Sequence, residues 1–163
     1  MKSLKPPDKH YLEAAKGWCE LRNYLEANEE LEKIAPKLRA HPLVLEVRWI
    51  IYANLNRWDG AVEIARALVK SCPDLLKGYT FLALSLQKLN RNEEAYEVMN
   101  KALPIFPTDE IVYYRLGIIC CAMGKIEETR SWLRKAIELG GDGMKMLALD
   151  DPDLERIWKG DRD

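Results

Sequence analysis

The cysteines and histidines are the first residues to consider for a metal site or a catalytic nucleophile and base, and this sequence has six of them. They are four cysteines and two histidines: Cys19, Cys72, Cys120, Cys121, His10 and His41. A zinc site needs ligands at short spacings such as C-x-x-C, and no two of these cysteines have that spacing. The histidines lie at spacings unrelated to the cysteines. The sequence therefore predicts no metal site and no cofactor, and it predicts reduced thiols that mostly fill the core.

Composition limits the classes of partner. The 163 residues include 25 Lys and Arg against 26 Asp and Glu, which gives a formal net charge of −1. Nucleic-acid binding needs a concentrated positive surface, so we expect no nucleic-acid partner. The N-terminal residues lack the apolar run of about 7–15 residues found in a secretory signal. No stretch approaches the roughly 18 apolar residues of a membrane span. We therefore expect a cytoplasmic protein with no membrane partner.

These side chains must be positioned by elements that repeat along the chain every 34 residues. Ala27, Ala61 and Ala95 lie 34 residues apart, and Thr129 occupies the fourth position of the series. The same spacing relates Leu21, Leu55, Leu89 and Met123. A constant period of about 20–50 residues indicates stacked supersecondary units rather than one globular core.

Each 34-residue unit contains two amphipathic segments with helical periodicity. In the third unit, Tyr79, Leu82, Ala83 and Leu86 follow the i, i+3, i+4, i+7 spacing that forms one stripe on a helix. The polar stretch 89–92 then interrupts the pattern, and a second apolar stripe follows. No segment alternates with period two for long, so β structure has little support. The sequence predicts an all-α fold.

The pattern within the units resembles the tetratricopeptide repeat (TPR), whose motif is W-x2-L-G-x2-Y followed by alanine, a large apolar residue, alanine and proline. The third unit matches it best, with Tyr79, Leu82, Ala83, Leu86, Ala95, Met99, Ala102 and Pro107. The fourth unit supplies Tyr113, Leu116, Gly117, Cys120, Thr129, Leu133, Ala136 and Gly141. The chain is similar in style to compact bacterial TPR proteins.

In the second unit, the side chains at two motif positions differ in size from those that the motif usually has. Trp49 occupies a slot that usually holds Gly or Ala, and Ala65 occupies a slot that usually holds a large residue. Exchange of volume between two core positions is tolerated. We expect Trp49 to fill this space and to wedge the second unit open locally.

The resemblance implies a right-handed α-solenoid of about four helix-turn-helix TPR units with a C-terminal capping helical segment, in a single domain. We expect a flexible lead-in over residues 1–7. The four units are expected at residues 8–41, 42–75, 76–109 and 110–143. Residues 144–163 are expected to form capping helices and a frayed tail, with Trp158 as the anchor that covers the last unit.

By this resemblance, the first helices of the units line the concave side of the superhelix. The predicted groove consists of Lys16, Cys19, Glu46, Ile50, Ala53, Asn54, Thr80, Leu84, Gln87, Lys88, Tyr114, Arg115, Ile118 and Cys121. One slot holds Ile50, Leu84 and Ile118 in successive units, and a row of exposed aliphatic side chains usually marks a binding surface. Tyr114 is the expected aromatic anchor, and charged residues at the rim would orient the partner.

These features predict a non-enzymatic protein-interaction module, such as an adaptor, scaffold or chaperone-like protein, that binds an apolar peptide or helix in the predicted groove. TPR co-chaperones hold a terminal carboxylate with a Lys, Asn and Arg clamp. The corresponding slots here, Glu46, Ile50, Thr80 and Leu84, cannot neutralise a carboxylate. An enzyme is not expected, because no histidine shares the face of Cys121, the candidate nucleophile in the groove.

Three alternatives remain open at this point. The apolar surface could serve homodimerisation in a structural protein, with the groove incidental. The C-terminal segment could cover the apolar slots. A partner could instead bind the convex face at Trp58 and Trp132, which fall on second helices.

Overall fold

A computed structural model describes residues 3–159 of the chain, and within this range it contains α-helices and turns but no β-strand. The helices are α1 (Asp8–Glu20), α2 (Tyr24–Lys33), α3 (Pro42–Asn54), α4 (Trp58–Ser71), α5 (Leu76–Lys88), α6 (Asn92–Ala102), α7 (Glu110–Ala122), α8 (Ile126–Asp150) and α9 (Glu155–Lys159). Short 3-10 turns cover Pro36–Leu38 and Pro152–Leu154. The predicted all-α fold is confirmed. Over the part of the chain that is described, no helix has the length and apolar content needed to cross a membrane.

The chain divides into two compact units, Met1–Ser85 and Leu86–Asp163. From here on, "first unit" and "second unit" refer to these two, and each 34-residue repeat is called a helix pair. The first contains α1–α4 and most of α5, and the second contains α6–α9.

The 34-residue period has a direct counterpart in the backbone. Left-handed backbone conformations occur at Arg22 (φ 57°), Asn56 (φ 54°), Asn90 (φ 58°) and Gly124 (φ 78°), each in the turn that joins two helices of a pair. Glycine and asparagine tolerate this conformation better than other residues. In the first turn of each helix that follows, a small side chain is fully buried, at Ala27, Ala61, Ala95 and Thr129. The repeating residues are therefore those that let each second helix start in close contact.

The core of the first unit includes residues from the N-terminal lead-in. Leu4 is 8% exposed and belongs to the same buried cluster as Leu12, Ile34 and Val44. The Asp8 carboxylate accepts a hydrogen bond of 2.7 Å from the backbone N–H of Ala35. Residues 3–7 are thus attached to the core through Leu4, which differs from the expected flexible lead-in. Met1 and Lys2 lie outside the described residues.

Trp49 is directed from α3 towards α5. Its ring stacks on Phe81 with centroids 3.7 Å apart and planes 6° from parallel. Its indole N–H donates a hydrogen bond of 2.9 Å to Ser85 Oγ. The extra volume of Trp49 therefore lies against the first helix of the following pair, and the expected local opening of the second pair stays a prediction.

The second unit is built on close packing between α7 and α8. A Cβ atom at Gly117 would lie 2.9 Å from the Leu133 side chain, so glycine permits this approach. The helical hydrogen-bonding pattern of α8 continues across a sharp break at Gly141 (φ 62°, ψ −149°). This conformation is essentially restricted to glycine. After the break, the chain turns back over α7.

We call residues 142–159 the cover segment. Its buried residues Met144, Ala148, Leu154 and Ile157 join the cluster that contains α7 and α8 side chains. Trp158, the expected anchor, is only partly buried, and its indole N–H donates a 2.9 Å hydrogen bond to the carbonyl of Ala148. The segment is therefore held chiefly by Leu154 and Ile157, which are 0% and 1% exposed. Lys159, the first residue of the expected frayed tail Lys159–Asp163, is the last residue of α9, and the rest of that tail lies outside the described residues.

Candidate functional site

Part of the predicted groove forms an open cavity in the first unit. Its volume is about 330 Å³, and it is lined by Lys16, Cys19, Glu20, Val47 and Ile50 from α1 and α3. Lys16, Cys19 and Ile50 are members of the predicted groove. We call this cavity and its lining the α1–α3 pocket.

The pocket exists because α1 and α3 bury one side and leave the other uncovered. Ala15 and Ile51, next to the lining residues in sequence, are fully buried in the core. Ile50 is 37% exposed, which places a large aliphatic side chain at the pocket mouth. Val47 lies one helical turn before Ile50 and forms the floor. Val47 was not among the predicted groove residues. Its i, i+3 relation to Ile50 places it on the same face of α3 and could have identified it from the sequence.

Three polar side chains at or near the pocket have partners, and Glu20 in the lining is exposed. Glu46 forms an ion pair of 2.7 Å with Lys77, and Lys16 forms one of 2.9 Å with Glu13. The Asn54 amide donates a 2.8 Å hydrogen bond to the carbonyl of Ile50. The pocket therefore combines the apolar surface of Val47 and Ile50 with the charged side chains of Lys16 and Glu20.

Three other predicted groove residues of the first unit are less exposed than Ile50. Ala53, Thr80 and Leu84 are partly buried. The Thr80 hydroxyl donates a 3.0 Å hydrogen bond to the carbonyl of Lys77 in its own helix. Leu84 therefore presents less apolar surface than the predicted row of exposed aliphatics requires.

Two groove residues lie on the last turn of α5. Lys88 is exposed and Gln87 is partly buried. The side-chain oxygen of Gln87 is buried and has no hydrogen-bond donor among the described residues.

In the second unit, the predicted groove is closed. Tyr114, Ile118 and Cys121 lie in one buried cluster beneath the cover segment, and Ile118 is only 3% exposed. The expectation that Tyr114 anchors a partner does not fit this arrangement, because the cover segment occupies its surroundings. Arg115, on the same helix, is partly buried, and its Nε has no hydrogen-bond acceptor in the described part of the chain. Of the alternatives, coverage by the C-terminal segment applies to α7.

Tyr114 makes a specific polar contact under the cover. Its hydroxyl donates a hydrogen bond to the carboxylate of Asp151. Burial, and then the adjacent Asp151 carboxylate, raise the pKa of Tyr114 above its ordinary range. The phenol therefore remains a protonated hydrogen-bond donor at neutral pH.

Two of the four thiols have surroundings that disfavour a reactive thiolate. Burial, reinforced by the Glu128 carboxylate, raises the pKa of Cys120 to about 11. Partial burial also raises the pKa of Cys19. A raised pKa lowers the thiolate fraction on which reactivity depends. Within residues 3–159, no three His, Cys, Asp or Glu side chains come together as a group that could hold a metal ion.

A second cavity, which sequence reasoning did not anticipate, lies in the second unit. Its volume is about 390 Å³, and it is lined by Arg130, Leu133, Arg134, Ile137, Glu138 and Trp158. It depends on the position of α9 relative to α8, which no repeat pattern describes.

Comparison with known proteins identifies the repeats. The family model for the tetratricopeptide repeat matches residues 76–109 and 111–139. The peroxisomal targeting signal receptor of Candida albicans is 30% identical over 90 residues, which is 55% of this chain. The chain spans only 15% of the length of that curated relative.

Solved structures share the fold over nearly the whole chain. A thermophilic TPR protein of Thermus thermophilus matches with a TM-score of 0.75 at 17% identity, covering 95% of this chain and 83% of its own. MamA from Desulfovibrio magneticus RS-1, residue 41 to the end, matches with a TM-score of 0.73 at 19% identity, covering 96% and 92%. These likenesses show an α-solenoid of helix pairs. The family match places tetratricopeptide repeats at residues 76–109 and 111–139, and the solved structures share the same helix-pair fold over nearly the whole chain.

Proposed function

We propose that this chain is a protein-interaction module that binds an apolar segment of a partner protein at the α1–α3 pocket. The observation that carries the proposal is the exposure of Ile50 at the mouth of an open cavity whose floor is apolar. An exposed aliphatic side chain beside an apolar cavity is a feature of protein-binding surfaces. The name of the curated relative, a targeting signal receptor, is in keeping with such a role.

The chemistry of the pocket favours an apolar segment over a terminal carboxylate. Lys77, the nearest cation to the Glu46 slot, is already paired with Glu46 at 2.7 Å. Lys16 is paired with Glu13. A terminal carboxylate would compete with Glu13 or Glu46 for these lysines and would meet the like charge of Glu20 in the lining, whereas an apolar helix or extended segment would cover Val47 and Ile50 without that competition.

The proposal does not include catalysis. The two buried thiols contact carboxylate, carbonyl and guanidinium groups: Cys120 lies 3.8 Å from Glu128, and Cys121 lies 3.2 Å from the Asp153 carbonyl and 3.1 Å from Arg156. None of these contacts is a histidine that could act as a general base.

The test compares two variants that place the same charge on two exposed positions. Ile50→Asp changes the pocket mouth, and Leu25→Asp changes an exposed residue of α2 that does not line the pocket. We expect proteins captured from native lysate by the wild-type chain to be retained by Leu25→Asp and lost with Ile50→Asp. Equal retention by both variants would place the binding surface elsewhere.

Self-association is the second candidate, and a separate observation favours it. Met146, Leu147 and Leu149 on the outer side of the cover segment are 64%, 46% and 50% exposed. A helix that is apolar on all sides usually packs on more than one partner. If this surface forms a dimer, light scattering should give twice the mass of the chain, and Met146→Asp should return it to a monomer. A monomeric wild-type chain would exclude this candidate.

A further inference from the structure

The α7 face carries the same slots as the open pocket but has an occupant from its own chain. Ile118 occupies the slot that Ile50 occupies 68 residues earlier. Met144, Ala148, Leu154 and Ile157 of the cover segment lie in the same buried cluster as Ile118. The face is thus filled by two short helical pieces that present apolar side chains at i, i+4 and i, i+3 spacings.

Polar contacts give the occupied face specificity. The Tyr114 hydroxyl donates to the Asp151 carboxylate, which also accepts a 2.9 Å hydrogen bond from the backbone N–H of Asp153. The Cys121 thiol donates to the Asp153 carbonyl at 3.2 Å, and Arg156 Nε donates to Cys121 Sγ at 3.1 Å. The contacts of Tyr114 and Cys121 join α7 to the stretch 151–156, so the face recognises a defined segment and not merely apolar surface.

The cover segment is attached to the rest of the unit through one glycine link. Gly141 has a backbone conformation that only glycine readily adopts, and a Cβ atom there would meet nothing within 4 Å. The α7–α8 pair has a close contact of its own, Gly117 against Leu133, although Leu133 also belongs to the cluster that includes the cover segment. Leu116 and Ile119, fully buried, do not belong to the cluster that includes the cover segment. The segment can therefore leave α7 by rotation at Gly141 while the α7–α8 pair stays packed.

We propose that the cover segment is an internal ligand of α7, and that a partner segment of the same chemistry displaces it. That chemistry is a short apolar helix, then an aspartate that accepts a hydrogen bond from Tyr114, then a second apolar turn. A tethered competitor acts at an effective concentration in the millimolar range, so the partner's apparent affinity for α7 is lowered until the segment detaches. The inference rests on the proposed function in taking the partner to be an apolar protein segment.

The alkylation rates of two adjacent thiols can distinguish opening of the cover segment from opening of the α7–α8 core. Cys120 and Cys121 are both buried, but Cys121 contacts the cover segment and Cys120 contacts Glu128 of α8. In the full chain carrying Ile157→Asp, we expect Cys121 to be alkylated at least about tenfold faster than in the wild type, because the cover then opens as a local unit. We expect Cys120 to remain protected. If the two thiols become reactive together, the cover and the core open as one unit, and the proposal is wrong.

The second arm uses a fluorescein-labelled synthetic peptide of residues 142–159 as the probe. We expect it to bind the Ile157→Asp chain in a fluorescence anisotropy titration, to restore protection of Cys121, and to bind the wild-type chain at least about tenfold more weakly. A peptide with aspartate in place of Leu154 and Ile157 is the control and should not bind. No binding of the first peptide to Ile157→Asp, or equal binding to both chains, would overturn the proposal.

These outcomes are independent of the α1–α3 pocket. A chain carrying both Ile50→Asp and Ile157→Asp should still bind the peptide through α7. If partner capture is unaffected by Ile50→Asp while Cys121 opens alone, the proposed function fails and the internal-ligand inference stands. If capture is lost with Ile50→Asp while both thiols become reactive together, the proposed function stands and the internal-ligand inference fails.

Discussion

Ile50 and Ile118 occupy one slot of the same repeat, and their surroundings differ completely. Ile50 is 37% exposed beside an open cavity, whereas Ile118 is 3% exposed beneath the cover segment. The helices that carry them, α3 and α7, have the same length of 13 residues. The difference therefore arises outside the repeat, from a segment that exists only after the last helix pair.

This comparison shows that equivalent positions of a repeat can differ strongly in burial. An aliphatic side chain left in water loses the roughly 25 cal/mol per Å² that burial would provide. In the second unit the chain recovers that free energy with its own segment. In the first unit no segment among the described residues covers Ile50 in this way, and under the proposed function a partner protein would provide the burial.

The largest expected effect is on stability when each of these isoleucines is replaced by aspartate. Ile118→Asp places a carboxylate in a buried apolar cluster and should lower the free energy of unfolding by about 3–5 kcal/mol. Ile50→Asp places it at an exposed position and should lower the free energy of unfolding by less than about 1 kcal/mol. Urea unfolding followed by circular dichroism measures both. Similar losses for the two variants would mean that the two slots are equally buried.

A smaller effect is expected at the link to the cover segment. Gly141→Ala forces a side chain into a conformation reserved for glycine and should lower the free energy of unfolding of the second unit by about 1–3 kcal/mol. Gly143→Ala is the control, since a Cβ atom there meets nothing within 4 Å and alanine favours a helix. It should raise stability by up to about 1 kcal/mol. Thermal unfolding distinguishes the two, and a loss of equal size in both would mean that backbone strain at Gly141 is not the cause.

The smallest effect concerns the hydrogen bond beneath the cover. Tyr114→Phe removes the donor to Asp151 and should lower the free energy of unfolding by about 1 kcal/mol. Tyr113→Phe is the matched control, because the Tyr113 hydroxyl donates a 2.7 Å hydrogen bond to the Pro107 carbonyl at a solvent-exposed site. It should change stability by less than about 0.5 kcal/mol. Chemical denaturation of the two variants side by side measures this difference. A larger loss of stability in Tyr113→Phe than in Tyr114→Phe would contradict the prediction.

Much of the fold could be predicted because the repeat is a local property of the sequence. The series Ala27, Ala61, Ala95 and Thr129 is fully buried in every pair, as close helix packing requires. The left-handed turn residues recur at the same interval. Each of these features depends on residues within one helix pair, so a single period is enough to locate them.

The state of the groove could not be predicted in the same way. Ile50 and Ile118 are the same residue in the same slot, so nothing in the repeat distinguishes the open position from the covered one. The distinction depends on Leu154 and Ile157, which lie beyond the periodic part of the chain. Trp158 was predicted to be the anchor because of its size. In the structure its indole N–H donates a hydrogen bond to the carbonyl of Ala148, and the residue is only partly buried.

Trp49 illustrates a similar limit. Its size was evident from the motif, but the direction of the side chain depends on Phe81 and Ser85 in the following helix pair. A prediction that treats each repeat separately does not include that contact.

The contrast between the two slots can be measured most directly by introducing one cysteine at a time, as Ile50→Cys and Ile118→Cys, and following alkylation by peptide-resolved mass spectrometry under native conditions. Peptide resolution separates the new thiol from the native Cys19, which lines the same pocket as Ile50. We predict that the thiol at position 50 reacts within about tenfold of its rate in urea, and that the thiol at position 118 reacts at least about 100-fold more slowly than in urea. Equal protection of the two thiols would contradict the account of one open and one covered face.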